Sequence, residues 1–514
     1  MQFIFFVMGV IMRQSIKGTL ANYVGIVIGF ITTFFVLTHY LTEEQVGLTR
    51  VLVDAAILFS GLAQLGTTAS MIRFYPYFKN EENKDHGIFF WSLIIPLVGF
   101  ILFLIFFFLF QEKIVSIFAD KSPLFVDYFY FVLPLSFFML YMSVFEVNSN
   151  ILMRIAWPKL IREVVIRVLL LVCYILFGVG IITLNGLVIA FCVVYGLAAL
   201  LNIAFVLVLK KVSFKPDFKF LTKSLVKNFA FYTLFLVTAA LAGNITPILN
   251  TFFVSAKMGL TYTGIFAIAN YIAAVIEVPY RSLGAIAQPQ ISMAIKNNDI
   301  FIANNLCQKV SLHQLLAGSF VFLLIWINID FLFTIIPNGS SYGTGKWVVL
   351  ILSLSKLFNS SLSVGITVLS YSKWYYLSLI FTFILTFTAI FLNIKLIPIM
   401  GMNGAAMATF ISYVFYYLCV LSLIKWKMNT SPFSNPQLKV VILFVILFAL
   451  NELWLQFLTP FFQGLFLNSL VCGLFEAGIK SLILVGLGAF FSYYFQISLE
   501  VNSLIDKYLK IKKS

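Results

Sequence analysis

The chain is short of charge. Only 10% of its 514 residues are Asp, Glu, Lys or Arg, against about 25% in a soluble domain. It has three histidines and five cysteines, and neither set falls at metal-ligand or nucleophile spacing, which leaves no constellation for zinc chemistry or covalent catalysis. Cys173, Cys192, Cys307, Cys419 and Cys472 are scattered through apolar runs and read as small core residues. Acids are scarcer than bases, 19 against 34. With no soluble basic domain to present that excess, nucleic acid is not the expected partner. No paired carboxylates or histidine cluster offer acid–base chemistry, so an enzyme is not expected. What is abundant is apolar side chain, 61% of residues, with a mean hydropathy of +1.03. A water-soluble fold has no place for that much, and the chain reads as an all-α integral membrane protein.

Apolar stretches of about 20 residues predict fourteen spans: 18–41, 47–72, 87–110, 124–147, 160–181, 184–209, 228–255, 263–283, 312–336, 347–370, 374–397, 401–424, 438–458 and 477–496. The stretch 459–475, interrupted by Pro460, Gly464 and Asn468, reads as an outer loop or a prolongation of the last helix. The first ten or so residues are apolar but too short to span, and the natural start is Met1 or Met12. With the N-terminus inside, 26 Lys and Arg residues fall on the cytoplasmic side, five in outer loops and three within spans. That asymmetry predicts cytoplasmic termini at both ends.

The chain also repeats itself. At an offset of 217 or 218, Gly47 meets Gly264, Phe78–Asn80 meets Ile295–Asn297, Trp157 meets Trp374, and Asn185-Gly186 meets Asn403-Gly404. The marks stay in register, so the unit is six helices used twice, in one orientation, followed by two more. The expected organisation is an N-terminal bundle at 1–209, a basic cytoplasmic linker at 210–227, a second bundle at 228–425, and two extra helices with a basic tail at 426–514. Two like-oriented repeats predict a substrate site between them near the midplane. Each Asn-Gly reads as a tight outer turn using left-handed backbone angles, and the small residues after the second let helices approach closely.

Charge inside a span costs about 2.5–3.5 kcal/mol on insertion scales, so each such residue is a candidate. Arg50 and Asp54 are four apart on one helical face and read as a local ion pair or as a cavity-facing cation with its tuning acid. Lys356 is deep in its span and expected to face the cavity, and Arg167 adds a further cation, read as cavity-facing or snorkelling. Asn244, Thr246 and Asn250 surround Pro247, which frees a backbone carbonyl and could hold Na⁺ or sugar hydroxyls. Glu146, placed near Arg154, and the pair Glu277 and Arg281, placed at the inner end of span 8, are candidates for gating or ion coupling. His39, His86 and His313 are assigned no role.

Four passages carry a family resemblance: "LTEEQVGLTRVLVDAA", "QPQIS" at Gln288–Ser292, "TIIPNGSSYGTGKW" and "PIMGMNGAAMATFISY". With the six-plus-six-plus-two layout, they resemble the multidrug/oligosaccharidyl-lipid/polysaccharide transporters, and within them the bacterial polysaccharide-biosynthesis flippases. The resemblance implies an inner-membrane, multi-pass flippase without cofactor, metal or catalytic residue. It would carry an undecaprenyl-pyrophosphate-linked oligosaccharide outward by alternating access, for O-antigen, capsule or exopolysaccharide synthesis. Na⁺ or H⁺ would be the coupling ion, and membrane lipid and other polysaccharide-assembly membrane proteins the partners. The rival readings are a multidrug cation antiporter or a lipid II flippase of the same superfamily. A membrane-embedded polymerase or glycosyltransferase is more remote. The basic lean of the span charges favours an anionic cargo.

Overall fold

A computed structural model describes residues 17–18, 20–80, 84–209, 213, 215–245, 248–465 and 469–509. The described residues are helical throughout, with no strand among them. Lipid leaves the backbone no other way to satisfy its own hydrogen bonds along such apolar runs. In order the helices are α1 (Leu20–Tyr40), α2 (Glu43–Ala63), α3 (Thr67–Phe78), α4 (Ile88–Phe118), α5 (Pro123–Ile151), α6 (156–178), α7 (Leu184–Val208), α8 (Lys223–Ile245), α9 (Leu249–Met258) and α10 (Leu260–Ala274). They continue as α11 (Glu277–Lys296), α12 (Ile300–Ile327), α13 (Ile329–Ile335), α14 (Lys346–Tyr371), α15 (Tyr375–Met400), α16 (Met402–Met428), α17 (Asn435–Leu465), α18 (Ser469–Tyr494) and α19 (Leu499–Leu509).

Among the described residues, 11 helices are long and apolar enough to cross a membrane. They coincide with eleven of the fourteen expected spans. The other three expected spans are helical but interrupted. The fifth, α6, carries a π-helical turn over Ile161–Val165. The seventh is divided into α8 and α9, and Thr246 and Pro247 between them lie outside the described residues. The eighth is α10 and α11, bent at residues 275–276. The stretch 459–475 is not a loop where it is described: 459–465 extends α17 and 469–475 belongs to α18.

The chain folds into two compact units, Met1–Ala267 and Ile268–Ser514. Helices α8 and α9, expected to open the second bundle, pack within the first unit against α2, α3 and α4. The cores are built from close-set rings. Phe59 stacks on Phe103 with centroids 4.4 Å apart, and Phe107 on Phe129 at 4.5 Å. Such pairs add roughly 0.5–1.5 kcal/mol beyond their burial. Cys192, Cys307 and Cys472 are buried and Cys173 and Cys419 half-buried, all with free thiols.

The repeat marks fall at matching structural places. The second spans of the two units of sequence are both bent pairs: α2 and α3 turn at Leu65 and Gly66, both left-handed, and α10 and α11 turn at 275–276. Phe78 ends α3 as Lys296 ends α11. Gly47 and Gly264 touch each other. A Cβ on Gly47 would lie 2.0 Å from the Leu260 carbonyl oxygen, and one on Gly264 would lie 2.0 Å from that of Glu43. The contact is reciprocal, as a local two-fold relation between α2 and α10 requires.

The Asn-Gly pairs are not left-handed turns. Asn185 and Gly186 lie in the first turn of α7, capped by Thr183, whose hydroxyl accepts the Gly186 N–H at 3.2 Å. Asn403 and Gly404 lie in the first turn of α16. The left-handed residues stand just before, Gly180 at φ +79° and Gly401 at φ +58°. Gly404 answers to space instead: a Cβ there would lie 2.3 Å from the Leu396 carbonyl oxygen of α15. Ala405, Ala406 and Ala408 are fully buried behind it.

Candidate functional site

The first unit contains a cavity of about 680 Å³. The bend between α2 and α3 forms one wall, with Ser60, Gln64, Gly66 and Thr68. Leu65, a bulky residue at φ +47° beside it, holds a conformation that an isolated chain avoids. Helix α5 supplies Ser143, α7 Tyr195, and α6 two arginines, Arg162 and Arg167. The polar wall is tied together: Gln64 Nε2 donates to Ser143 Oγ at 3.3 Å, and Thr68 Oγ1 donates to Gln64 Oε1 at 3.0 Å.

Both arginines are aimed by α6. Its π turn inserts one residue into the helix, a feature that recurs at functional sites, and it carries Arg162 and Glu163. Helix α1 closes on α6 through two glycines. A Cβ on Gly25 would lie 2.4 Å from the Glu163 carbonyl oxygen, and one on Gly29 2.7 Å from Arg167 Nη1. Arg167 donates to the Gly25 carbonyl and pairs with Glu163 at 2.7 Å. Arg162 pairs with Glu146 at 2.5 Å. The acid expected beside Arg154 is therefore held by Arg162, which lies beyond the turn at 152–155. Arg162 and Arg167 both open the fifth expected span in the sequence; that they line one cavity, and that α1 meets them with a glycine face, emerges only from packing.

Arg50 and Asp54 form the local pair: Arg50 Nε donates to Asp54 Oδ2 at 2.9 Å. Asp54 is 1% exposed and its Oδ1 has no hydrogen-bond partner, while Thr251 of α9 lies beside the carboxyl. The side chain of Asn244 and all of Thr246 and Pro247 lie outside the described residues; Asn250 is half-buried in the first turn of α9.

The second unit has its own charged group. Lys356 Nζ reaches Glu277 Oε1 at 3.4 Å, and Arg281 Nη2 reaches the other oxygen of the same carboxylate at 3.5 Å. One acid thus serves two bases. Glu277 is the first residue of α11, at the bend in the middle of 260–296. Lys356 and Glu277 are mostly buried, whereas Arg281 is 73% exposed. Tyr280 and Tyr413 lie beside this group. Tyr417 OH donates to Asn359 Oδ1 at 2.7 Å on the same face of α14. Asp330 pairs with Lys346 at 2.7 Å. Among the described residues no three of His, Cys, Asp and Glu gather as metal ligands.

Two histidines have partners the sequence did not suggest. His86 Nδ1 is 2.8 Å from Asp217 Oδ2, and its ring stacks on Phe220 at 3.9 Å. The His86 bond and two backbone N–H groups hold the Asp217 carboxyl below its ordinary value. His313 Nε2 is 2.9 Å from Ser498 Oγ.

Among curated proteins no relative matches the chain. Solved structures resemble it in fold. The lipid II flippase MurJ in an inward-closed conformation superposes with a TM-score of 0.71 at 16% identity, covering 94% of this chain and 99% of that one. An inward-facing multidrug-resistance MATE transporter of the MOP superfamily gives 0.57 at 16% identity, covering 81% and 96%. A MOP-superfamily transporter from Pyrococcus furiosus, described by the reversed polarity of its binding pocket, gives 0.53 at 15% identity, covering 82% and 96%. These relatives are transporters rather than enzymes, and the fold here is the flippase-type transporter fold. A family model, polysaccharide biosynthesis protein, matches residues 11–294. The chain, a multi-pass membrane protein, belongs to the polysaccharide biosynthesis protein family.

Proposed function

We propose that this protein flips a lipid-linked oligosaccharide, joined to its undecaprenyl carrier by a pyrophosphate, from the cytoplasmic to the outer leaflet of a bacterial inner membrane for surface-polysaccharide synthesis. The observation that carries the reading is the cavity of about 680 Å³ lined by Arg162 and Arg167, in a member of a polysaccharide-biosynthesis family. Each of those cations is already matched by a carboxylate, Glu146 or Glu163. Lys356 is matched in the same way by Glu277. An arginine so paired bears little net charge toward the cavity until an anion competes for it. A pyrophosphate offers more acceptor oxygens than a single carboxylate, and charge-assisted bonds to it are strong. The carboxylates keep the cations from binding adventitious anions and reset the site when cargo leaves. Asp54 would do the same for Arg50. Two repeats of one orientation would rock about the cargo, with both termini cytoplasmic.

The test uses purified protein in vesicles with a fluorescent lipid-linked oligosaccharide, measuring the fraction that becomes accessible on the far leaflet. Wild type transports it. Arg162→Gln and Arg167→Gln each raise the half-saturating concentration by roughly 10–100-fold, the equivalent of one charged hydrogen bond. Transport of lipid II but not of the oligosaccharide carrier would move the protein to peptidoglycan precursors. Transport of small cationic dyes alone would move it to drug extrusion.

A further inference from the structure

The charged residues that line the cavity of the first unit, Arg162 and Arg167, both come from α6, and each is held by a carboxylate. The bend between α2 and α3 brings no charge. Ser60, Gln64 and Thr68 line the cavity there, joined by Ser143 of α5. The hydrogen bonds from Thr68 to Ser143 run as a chain. Thr68 Oγ1 donates to Gln64 Oε1 at 3.0 Å, and Gln64 Nε2 donates to Ser143 Oγ at 3.3 Å. Among the described residues the chain stops there, and no acceptor takes the Ser143 hydroxyl proton or the second Gln64 N–H. With the amide turned the other way, the spare hydroxyl proton would belong to Thr68. In both orientations one hydroxyl and one amide N–H are left over for the cavity.

Polar side chains that only join helices close on one another and leave nothing over. Gln64 and Ser143 do link α2 to α5, but Gln64, Thr68 and Ser143 are half-buried and open to the cavity rather than sealed between helices. The bend that presents them is also rigid. Leu65 is left-handed at φ +47° and Gly66 at φ +68°, a conformation that a bulky residue such as leucine avoids. Helix α4 holds it there: a Cβ on Gly99 would lie 2.1 Å from the Ala63 carbonyl oxygen and 2.9 Å from Leu65 Cγ, so the backbone has little room to relax. This wall has no charge with which to hold an ion. It has spare donors and acceptors in fixed positions, which suits hydroxyl and acetamido groups.

The wall adjoins the cations. Ser143 stands three residues before Glu146 on α5, and residues so spaced are neighbours, with Cβ atoms about 5–6 Å apart. Glu146 in turn holds Arg162. A cargo whose pyrophosphate reaches Arg162 therefore sets its next group beside Ser143. A cavity of about 680 Å³ is in the range of small-molecule sites, so it takes the pyrophosphate and the sugar joined to it, not a whole oligosaccharide. We propose that Gln64, Thr68 and Ser143 form a sugar subsite, which hydrogen-bonds the hydroxyl or acetamido groups of the sugar next to the pyrophosphate and so selects among cargoes. Met139 and Met142 of α5 line the same cavity and offer adaptable apolar surface to the C–H face of the ring. A site that bonds a hydroxyl leaves its own groups unpaired when that hydroxyl is missing, and so rejects the wrong sugar. The inference rests on the flippase reading, and the test separates the two.

The ligands compared differ only in the sugar: farnesyl pyrophosphate, and the same molecule carrying one of a panel of hexoses and N-acetylhexosamines. Affinities are measured on the full-length protein in detergent, from the rise in unfolding temperature with ligand concentration. Wild type should bind at least one sugar-bearing ligand more tightly than farnesyl pyrophosphate, by about tenfold or more. Gln64→Leu and Ser143→Ala should each remove about 3–10-fold of that preference, the scale of one neutral hydrogen bond, and bind farnesyl pyrophosphate as wild type does. Ser143→Thr keeps the hydroxyl and should keep the preference. Arg162→Gln, by contrast, should weaken both kinds of ligand. A wild type that prefers no sugar-bearing ligand overturns the subsite. So do Gln64→Leu and Ser143→Ala proteins that keep the full preference, or that lose both kinds of ligand equally. Transport in vesicles is scored apart. A sugar preference that depends on Gln64, with no lipid-linked oligosaccharide flipped by wild type, would overturn the flippase reading and keep the subsite. Flipping by wild type whose choice of cargo is unchanged in Gln64→Leu would overturn the subsite and keep the flippase reading.

Discussion

The reciprocal glycines are where the fold can be tested with the smallest change. Gly47→Ala adds one methyl group, and that methyl would sit 2.0 Å from the Leu260 carbonyl oxygen. Ordinary contact begins near 3.4 Å, so α2 and α10 must part by about 1.4 Å along that line. The obstacle is backbone on a helix, not the tip of a side chain, so it cannot swing away. Overpacking of this kind costs typically 1–3 kcal/mol. Gly264→Ala meets Glu43 at the same distance from the other side, so its cost should be similar. The double variant is the informative one. Once the helices have parted to admit one methyl, the second enters a gap partly opened, and the double should cost less than the two single costs added, by at least 0.5 kcal/mol. The assay is the loss of the monodisperse peak on size exclusion after heating in detergent, run for all four proteins. Either single variant melting with wild type would refute the close approach. Strict additivity would refute the reciprocal contact while leaving each glycine locally tight.

Three further outcomes are expected. Lys356→Ala should lower lipid-linked oligosaccharide transport at least tenfold, the scale of one charged hydrogen bond, while the protein stays folded and inserted; Lys356→Arg should recover part of it, and wild-type transport by the alanine variant would remove Lys356 from the site. Single cysteines at Ser224 and Ser341 should label from opposite sides of intact cells, and labelling of both from outside would overturn the proposed topology. The Asp217 carboxyl is held below its ordinary value near 3.8 by His86 and the backbone N–H groups of Lys219 and Phe220. Its contribution is therefore complete above that value and lost as the pH falls through the depressed one. Deuterium uptake at 84–87 and 215–220 should stay flat from pH 7 to 5 and rise only below about pH 4, and His86→Ala should move that rise to higher pH; uptake that climbs between pH 7 and 5 would contradict this.

What the sequence determined by itself follows from solvation. Apolar runs of spanning length have to be helices in lipid, so eleven of the fourteen spans could be read directly, and the scarcity of charge marked Arg50, Asp54, Arg167, Glu277 and Lys356 as residues that need partners. The i, i+4 pairs, Arg50 with Asp54 and Arg281 with Glu277, were legible because helical periodicity alone brings them together. The offset of 217 was legible because each copy must make the same turns. Everything requiring two distant segments was decided by tertiary structure. Lys356 finds Glu277, 79 residues away in sequence, only because α14 packs on α11. Glu146 pairs with Arg162 rather than with Arg154, which is nearer in sequence, across the turn at 152–155. Gly47 and Gly264 read as corresponding residues in sequence, but that they touch is a fact of how α2 packs on α10, and one chain read in order does not contain it. Lys480 falls inside the last expected span, 477–496, and Glu476 just before it. Their burial depends on α17 covering them, and helix packing in a membrane follows from shape and hydrogen bonding, not from a hydrophobic pattern the sequence could display.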